Sequence, residues 1–369
     1  MRVLNLISTL GSGGAERQLS LVAPALALDG VDMHVAFVNG GPNLPRLENS
    51  GAVLHRLRAS SNHDPRLPAG VLRLVDRLKP DVVQTWLLQM DILGGAAALF
   101  HRTPLIVSER SQAEAYPATW KTRLRLEVGK RAAAVVANSQ GGLAYWQRHV
   151  PSDRLHLVRN CVTPPSAPVA DTPHPLMADL GSAPLVMFAG RFSAEKNICT
   201  LIEALAEVAR RIPEVAIRLF GEGPEKERAA SRIAELGLSR QMLVAPYSTQ
   251  LSVWMGRATV CVSVSHFEGH PNVVMEAAAA GCPLVLSDIS AHRELFDSRS
   301  ASLVPPDAVG RIADAVIEAM HNPALARNRA DRAREVAARC DLASAARAYR
   351  SIYEASMSTA RRRTPVSSP

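Results

Sequence analysis

The sequence predicts an α/β protein: two doubly wound domains, each a parallel sheet covered by helices, facing a central cleft. Three observations carry that expectation. Short apolar, β-branched runs alternate with longer amphipathic stretches almost from end to end. The alternation lapses once, in a proline-rich stretch over residues 161–183, and then restarts. A length of 369 residues is enough for two cores of ordinary size. Strand–helix alternation demands crossover connections and hence parallel strands. Ligands of such folds bind beyond the carboxyl ends of the strands.

Taken in order, 2–8 (RVLNLIS) reads as a buried strand, followed by a glycine loop and a helix over about 15–28. Strands follow at 33–39 and 52–57, then a helix over 66–79 that stops before Pro80. Further strands at 81–86, 104–109 and 133–139 complete a first domain over 1–160. Residues 161–183 read as a linker. Strands at 184–190, 215–221, 241–245, 259–265, 283–287 and 301–305 build a second domain over 184–340. Helical sequence then runs on, with a last helix over 341–358 and a disordered tail over 359–369.

Composition narrows the function. No apolar run reaches the roughly 18–20 residues that a membrane-spanning helix needs. The N-terminus meets a glycine loop and Glu16 too early for a signal peptide, which points to a cytoplasmic protein. Cys161, Cys199, Cys261, Cys282 and Cys340 are scattered without a CxxC pair, as neither a disulfide framework nor a zinc site would be. The net charge of +8 is uneven: residues 1–165 hold 19 Lys+Arg against 12 Asp+Glu, and residues 166–369 hold 23 against 22. A basic first half suits an anionic membrane surface or a phosphorylated substrate. Aromatics are only 4%, and no basic stretch is interleaved with stacking residues, which argues against a nucleic-acid partner.

Three constellations carry chemistry. Gly11-Ser12-Gly13-Gly14 lies between the first strand and the first helix, where glycines let a backbone approach phosphate at a helix N-terminus. A dinucleotide site needs GxGxxG and an acid after the second strand, but Glu16 and Asn39 stand there, so NAD is disfavoured. A tight turn with no ligand fits the same residues. The second is GRFSAEKN (190–197), with Arg191 leaving a strand and Lys196 entering a helix; two cations there can neutralise a diphosphate. A solvated loop balanced by Glu195 is the plainer reading. The third is HFEGHPNVVMEAAAAGCPLVLSD (266–288). Glu276 stands among apolar residues and alanines, a costly place for a carboxylate unless hydroxyls of a sugar or ribose donate to it. Backbone N–H groups at the helix start near Asn272 can hold phosphate oxygens. The chain has no Asp-x-Asp metal clamp, so no metal and no cofactor are expected.

These motifs together resemble family 4 glycosyltransferases, retaining nucleotide-sugar transferases with two Rossmann-like domains in the GT-B fold. Glu268 and Glu276 match the family's E-x7-E signature, Arg191 and Lys196 its diphosphate clamp, GSGGAE its first-domain glycine loop, and VRNCV (158–162) its interdomain connection. The resemblance implies that Arg191 and Lys196 hold the leaving diphosphate, Glu268 contacts the donor sugar and Glu276 binds the ribose. His270, Pro271, Asn272 and Val273 would cradle phosphate and sugar, while Gly13 and Gly14 close over the diphosphate. It implies a UDP-sugar in preference to a GDP-sugar, with the base near Ala245–Tyr247. It also implies a last helix that crosses back onto the first, acceptor-side domain.

The sequence departs from the family at one place: Glu109 and Arg110 stand where many members carry a histidine near the donor sugar. With Gln89, they are read as possible sugar or acceptor contacts. The helix over 120–131 places Trp120, Leu124 and Val128 on one face beside Lys121, Arg123, Arg125, Lys130 and Arg131. Such a helix can lie on anionic lipid at the inner face of a membrane, near a saccharide or lipid-linked acceptor, or simply pack on its sheet. A nucleotide-sugar epimerase of the same fold and a non-catalytic nucleotide-binding protein are the alternative readings.

Overall fold

The computed structural model describes residues 1–59, 64–162, 180–245 and 251–363, the side chains of 359–363 excepted. The chain divides into two compact units, Met1–Cys161 with Asp341–Pro369, and Val162–Cys340. Most of the stretch expected to be a linker, 163–179, falls outside the described residues, as do residues 246 and 247 of the expected base contact.

The first unit is built on seven strands: β1 (Arg2–Ile7), β2 (Asp32–Phe37), β3 (Val53–Arg56), β4 (Val82–Trp86), β5 (Leu105–Glu109), β6 (Ala134–Ala137) and β7 (Leu155–Leu157). They lie in the order β3-β2-β1-β4-β5-β6-β7, and every pairing is parallel. Between them run α1 (Gly14–Leu28), α2 (Leu44–Glu48), α3 (Leu67–Leu78), α4 (Leu87–Phe100), α5 (Trp120–Gly129) and α6 (Gln140–Gln147). The sequence pattern left β7 unseen, because three half-buried residues at a sheet edge have no alternation to read.

The second unit follows the same plan with six strands: β8 (Leu185–Ala189), β9 (Ala216–Phe220), β10 (Met242–Ala245), β11 (Val260–Ser263), β12 (Leu284–Ser287) and β13 (Ser302–Val304). Their order is β10-β9-β8-β11-β12-β13. Its helices are α7 (Ile198–Arg211), α8 (Lys226–Glu235), α9 (Leu251–Arg257), α10 (Asn272–Ala279), α11 (Ser290–Arg293), α12 (Val309–His321) and α13 (Pro323–Ala338). The strands read as near-continuous apolar runs because helices cover both faces. On α7, Leu201, Ile202, Leu205, Val208 and Ala209 recur at three- and four-residue spacing and bury against Ile217, Leu219, Val260 and Val262.

The last helix, α14 (Leu342–Arg363), is part of the first unit. The Asp341 carboxylate accepts from the Ser344 N–H at 2.8 Å and starts it. Tyr349, Ile352 and Tyr353 bury in the first unit's core beside Val3, Ile7 and Trp86. Gln84, which accepts from the Tyr353 hydroxyl, donates in turn to Ser108 Oγ at 2.7 Å. The helix reaches Arg363, so residues 359–363 of the expected tail are helical, and 364–369 lie outside the described residues.

Candidate active site

Each sheet reverses its strand order once: β1 lies between β2 and β4, and β8 between β9 and β11. At such a switch point successive crossovers leave in opposite directions, and ligands of open α/β sheets bind there. The loops after β8 and β11 therefore rise side by side, and they carry Arg191, Lys196 and Glu268.

The β8 loop is shaped by what packs beneath it. Gly221 and Gly223 have φ of 148° and 153°. A Cβ at Gly221 would lie 1.8 Å from the Gly190 carbonyl oxygen, and one at Gly223 would lie 2.3 Å from that of Phe192. Only glycine fits either place. Phe192 N donates to the Glu222 carbonyl and Glu225 N to the Phe192 carbonyl, both at 2.9 Å, so the glycine turn braces the cationic loop. Lys196 was expected to enter a helix. It sits instead in a single 3₁₀ turn, Ala194–Lys196, because Asn197 takes a left-handed conformation with φ of 55° before α7 begins. Asn197 Nδ2 donates to the Pro306 carbonyl at 2.9 Å and holds that turn in place.

The two loops are bonded together. His266 N donates to the Glu195 carbonyl at 2.9 Å. Lys196 Nζ donates to Glu268 Oε1, an ion pair whose side chains are 21% and 11% exposed. Ser265 Oγ donates to the same oxygen at 2.8 Å. Both donors converge on Oε1, and Oε2 accepts no hydrogen bond among the described residues. Burial pushes the Glu268 pKa up, but the charge and hydrogen bond of Lys196, with the hydrogen bond from Ser265, hold it below the ordinary value. The carboxyl is thus a fixed anion with one oxygen left for a ligand donor. Arg191, at the start of the same loop, is exposed and makes no ion pair among the described residues.

Beyond Glu268 the chain turns through buried His270 and Pro271 into α10. Val274, Met275, Ala277 and Ala278 are buried on its sheet side. The half-buried Asn272, Val273 and Glu276 are on the remaining surface, with the partial positive charge of the helix N-terminus beside Asn272 and Val273. One short segment therefore carries Glu268 and the start of α10, and the β8 loop brings Lys196 to it.

In the first unit, Gly13 and Gly14 stand at the N-terminus of α1. A Cβ on Gly13 would fall 2.3 Å from Glu16 Oε2, so the Glu16 carboxylate lies against Gly13. Gln89 is half-buried in the first turn of α4, just after Leu87, whose φ of 71° is strained for a branched side chain.

Glu109, expected as a possible sugar or acceptor contact, is taken up inside the first unit. It is fully buried, and its oxygens accept from Ser111 N at 2.9 Å, Tyr116 OH at 2.7 Å and Trp146 Nε1 at 2.9 Å. Arg125 closes on it at 2.9 Å and on Asp91 at 2.7 Å. Nothing of that carboxylate remains to meet a sugar. Its neighbour Arg110 is also held inside the unit: its guanidinium lies 4.3 Å from the Trp86 ring and donates to Asn160 Oδ1 and the Tyr349 hydroxyl. Arg125 does not join the surface cations of its helix, and the expected apolar face splits, with Val128 buried while Trp120 and Leu124 are 69% and 41% exposed. Ser265 belongs to no motif in the sequence, although a serine directly before the loop that carries a buried acid is a ready donor.

A GT-B transferase is the class that two such parallel units, with a cation–carboxylate cluster at the second switch point, define. Profiles of two families match: Glycosyltransferase Family 4 over residues 12–164 and Glycosyl transferases group 1 over residues 179–336. The chain belongs to glycosyltransferase family 4 and is a glycosyltransferase of its retaining, hexosyltransferase class. It is 27% identical to the lipopolysaccharide core biosynthesis glycosyltransferase LpsE of Rhizobium meliloti over 281 residues, 74% of this chain and 75% of that one. It is 31% identical to the glycogen synthase of Mycobacterium tuberculosis over 154 residues, 41% of this chain and only 37% of that one. Among solved structures, Anabaena HepE in complex with UDP-glucose superposes with a TM-score of 0.84 at 20% identity, covering 96% of this chain and 98% of that one. Sucrose-phosphate synthase from Thermosynechococcus elongatus gives 0.79 at 22% identity, over 97% and 100%. At these identities the structural likeness establishes the fold. Among the described residues no helix is long and apolar enough to cross a membrane.

Proposed function

We propose that the second unit binds a UDP-sugar and that the enzyme transfers the sugar, with retention, to a hydroxyl of a saccharide or lipid-linked polysaccharide precursor. The observation that carries this reading is the Lys196–Glu268 pair at the switch point. It sets a cation for the diphosphate next to a carboxylate whose second oxygen is left for a sugar hydroxyl. Arg191 joins Lys196 on the diphosphate, Glu276 takes the ribose hydroxyls, and the backbone of His270–Val273 lies against phosphate and sugar. UDP is preferred to GDP because HepE, of the same fold, was solved with UDP and with UDP-glucose. The LpsE likeness favours a surface-polysaccharide acceptor.

In the transfer, the bond from the anomeric carbon to the β-phosphate oxygen breaks and one to the acceptor oxygen forms on the same face. The acceptor proton passes to the departing phosphate oxygen, so no protein nucleophile is required. Charge building on the diphosphate falls to Lys196, Arg191 and the N-terminus of α10, donors already in place before the reaction. These cations take the part a metal would play, and turnover is expected to persist in EDTA. Exposed Trp120 and Leu124, with Lys121 and Arg123 between and beside them, suit peripheral attachment to anionic lipid.

Calorimetric titration with UDP and GDP in EDTA, with Glu276→Ala alongside, tests the donor site. Micromolar UDP binding that the substitution weakens is the expected result. Binding of neither diphosphate would overturn the reading.

A further inference from the structure

Beneath Glu268 lies a chain of hydrogen bonds that neither the family signature nor the donor-site reading assigns. Ser287, at the end of β12, donates through its hydroxyl to the Ser265 carbonyl at 2.6 Å. Ser265 donates through its own hydroxyl to Glu268. His292, in α11, closes the chain: its Nδ1 is 2.8 Å from the Ser287 carbonyl oxygen and 3.2 Å from Ser287 Oγ. Ser265, Ser287 and His292 are each wholly shielded from solvent, at 0% exposure.

The proton positions follow from chemistry. A carbonyl oxygen can only accept, so His292 Nδ1 must carry the proton. Nε2 is buried and has no hydrogen-bond partner among the described residues. A second proton there would be a stranded donor and a buried charge, so the ring is neutral with Nε2 bare. The tautomer leaves each hydroxyl one task. The Ser287 hydroxyl is spoken for by the Ser265 carbonyl, which fixes the strand end that carries Ser265, and the Ser265 hydroxyl is directed to Glu268.

We propose that His292 is a positioning residue for Glu268: neutral, with its proton on Nδ1, it sets Ser287, and Ser287 sets Ser265, whose hydroxyl fixes the carboxylate. It touches no substrate. The inference rests on the donor-site reading above for the consequence it has in catalysis, and on the tautomer for its structural part. Burial is the leading cause that keeps the ring deprotonated, against the opposing pull of Glu268.

The test uses the full chain with UDP-glucose as donor and UDP as the nucleotide-only probe. His292→Asn keeps an N–H close to the position of Nδ1; His292→Leu keeps volume and removes the donor. Loss of one hydrogen bond on the path to a charged group predicts that His292→Leu lowers kcat about ten- to hundredfold. UDP affinity and the melting transition should stay near wild type, and His292→Asn should recover most of the rate. Ser265→Ala should match His292→Leu, and the double variant should be no worse than either, because both break one chain. Additive losses, an Asn variant no better than Leu, or UDP affinity falling in step with kcat would each overturn the assignment. A wild type that neither binds UDP nor turns over UDP-glucose would remove the donor reading on its own. Independently of any donor, long-range nitrogen–proton NMR of the ligand-free protein should find the His292 proton on Nδ1; a proton on Nε2 sinks the inference.

Discussion

Arg125 lies 2.9 Å from Glu109, and both side chains are sealed from solvent at 1% and 0% exposure. With Asp91 at 2.7 Å, the guanidinium binds three first-unit elements, α4, β5 and α5. The Tyr116 and Trp146 rings, 4.5 and 5.0 Å away, complete its surroundings. Burial alone would lower the Arg125 pKa, but Glu109 and Asp91 hold it well above the ordinary value, so the group stays charged. Removing one partner of such a cluster strands two buried carboxylates. Arg125→Met should therefore destabilise the fold by about 3–5 kcal/mol. A urea midpoint within error of wild type would show the cluster to be worth little.

If the proposed donor site is right, its carboxylate and its cation should separate turnover from binding. Glu268→Gln keeps the shape and removes the charge, and kcat should fall by about two orders of magnitude or more, with UDP affinity little changed. Lys196→Ala should weaken UDP itself about tenfold or more, a charge-assisted hydrogen bond being at stake. The comparison is a calorimetric Kd for UDP beside steady-state kcat for each variant. Equal losses of both quantities in both variants would place the two groups on the same part of the donor and refute the division.

Acidification should loosen the fold before carboxylates titrate. Burial is the leading cause that lowers the pKa values of His34, His55 and His292. His34 Nδ1 and His55 Nε2 are 2.8 Å apart, a pairing that two charged rings cannot keep. Depressed folded values mean that the unfolded chain binds protons first. The stability is full above the unfolded histidine value of about 6.5 and is lost as pH falls through the lower folded values. Urea midpoints at several values between pH 8 and pH 5, chosen on the order of that titration, should fall with pH, and less so in His55→Asn. A flat profile contradicts the prediction.

The exposed end of α5 makes a membrane prediction. Trp120→Ala with Leu124→Ala should reduce flotation with vesicles of anionic lipid and leave UDP affinity unchanged. Vesicles of neutral lipid should recover little protein in either case, since the cations beside Trp120 favour a negative surface. Equal binding to both lipids, or an unaffected double variant, would discard the electrostatic version.

Both sheets, and all but one of their strands, are legible in the sequence, because a strand buried on two faces has a run of apolar residues that its flanking helices lack. Glu276 was legible for a similar reason, since an acid among alanines and apolar residues stands out, whereas its pairing with Glu268 was legible only through the resemblance to the family signature. The bond between Lys196 and Glu268 was not, since 72 residues separate them and only the switch point of the sheet brings their loops together. Glu109 misled in the opposite way. An acid at a strand end looks like a ligand contact until Arg125, Tyr116 and Trp146 fold over it, and no local pattern announces that they will. His292 left no trace either, because its tautomer is decided by a carbonyl oxygen that belongs to the backbone.

The return of α14 to the first unit fixes an order of events during synthesis. Residues 1–161 emerge first, yet Tyr349, Ile352 and Tyr353, which complete their core, follow only after the whole of the second unit has been made. Until then the half-finished unit exposes an apolar trough beside Trp86 and Val3. The second unit, continuous in the chain, has no such wait and can close as soon as it leaves the ribosome. The earlier-made half of the chain therefore completes its core only with the last segment to be made.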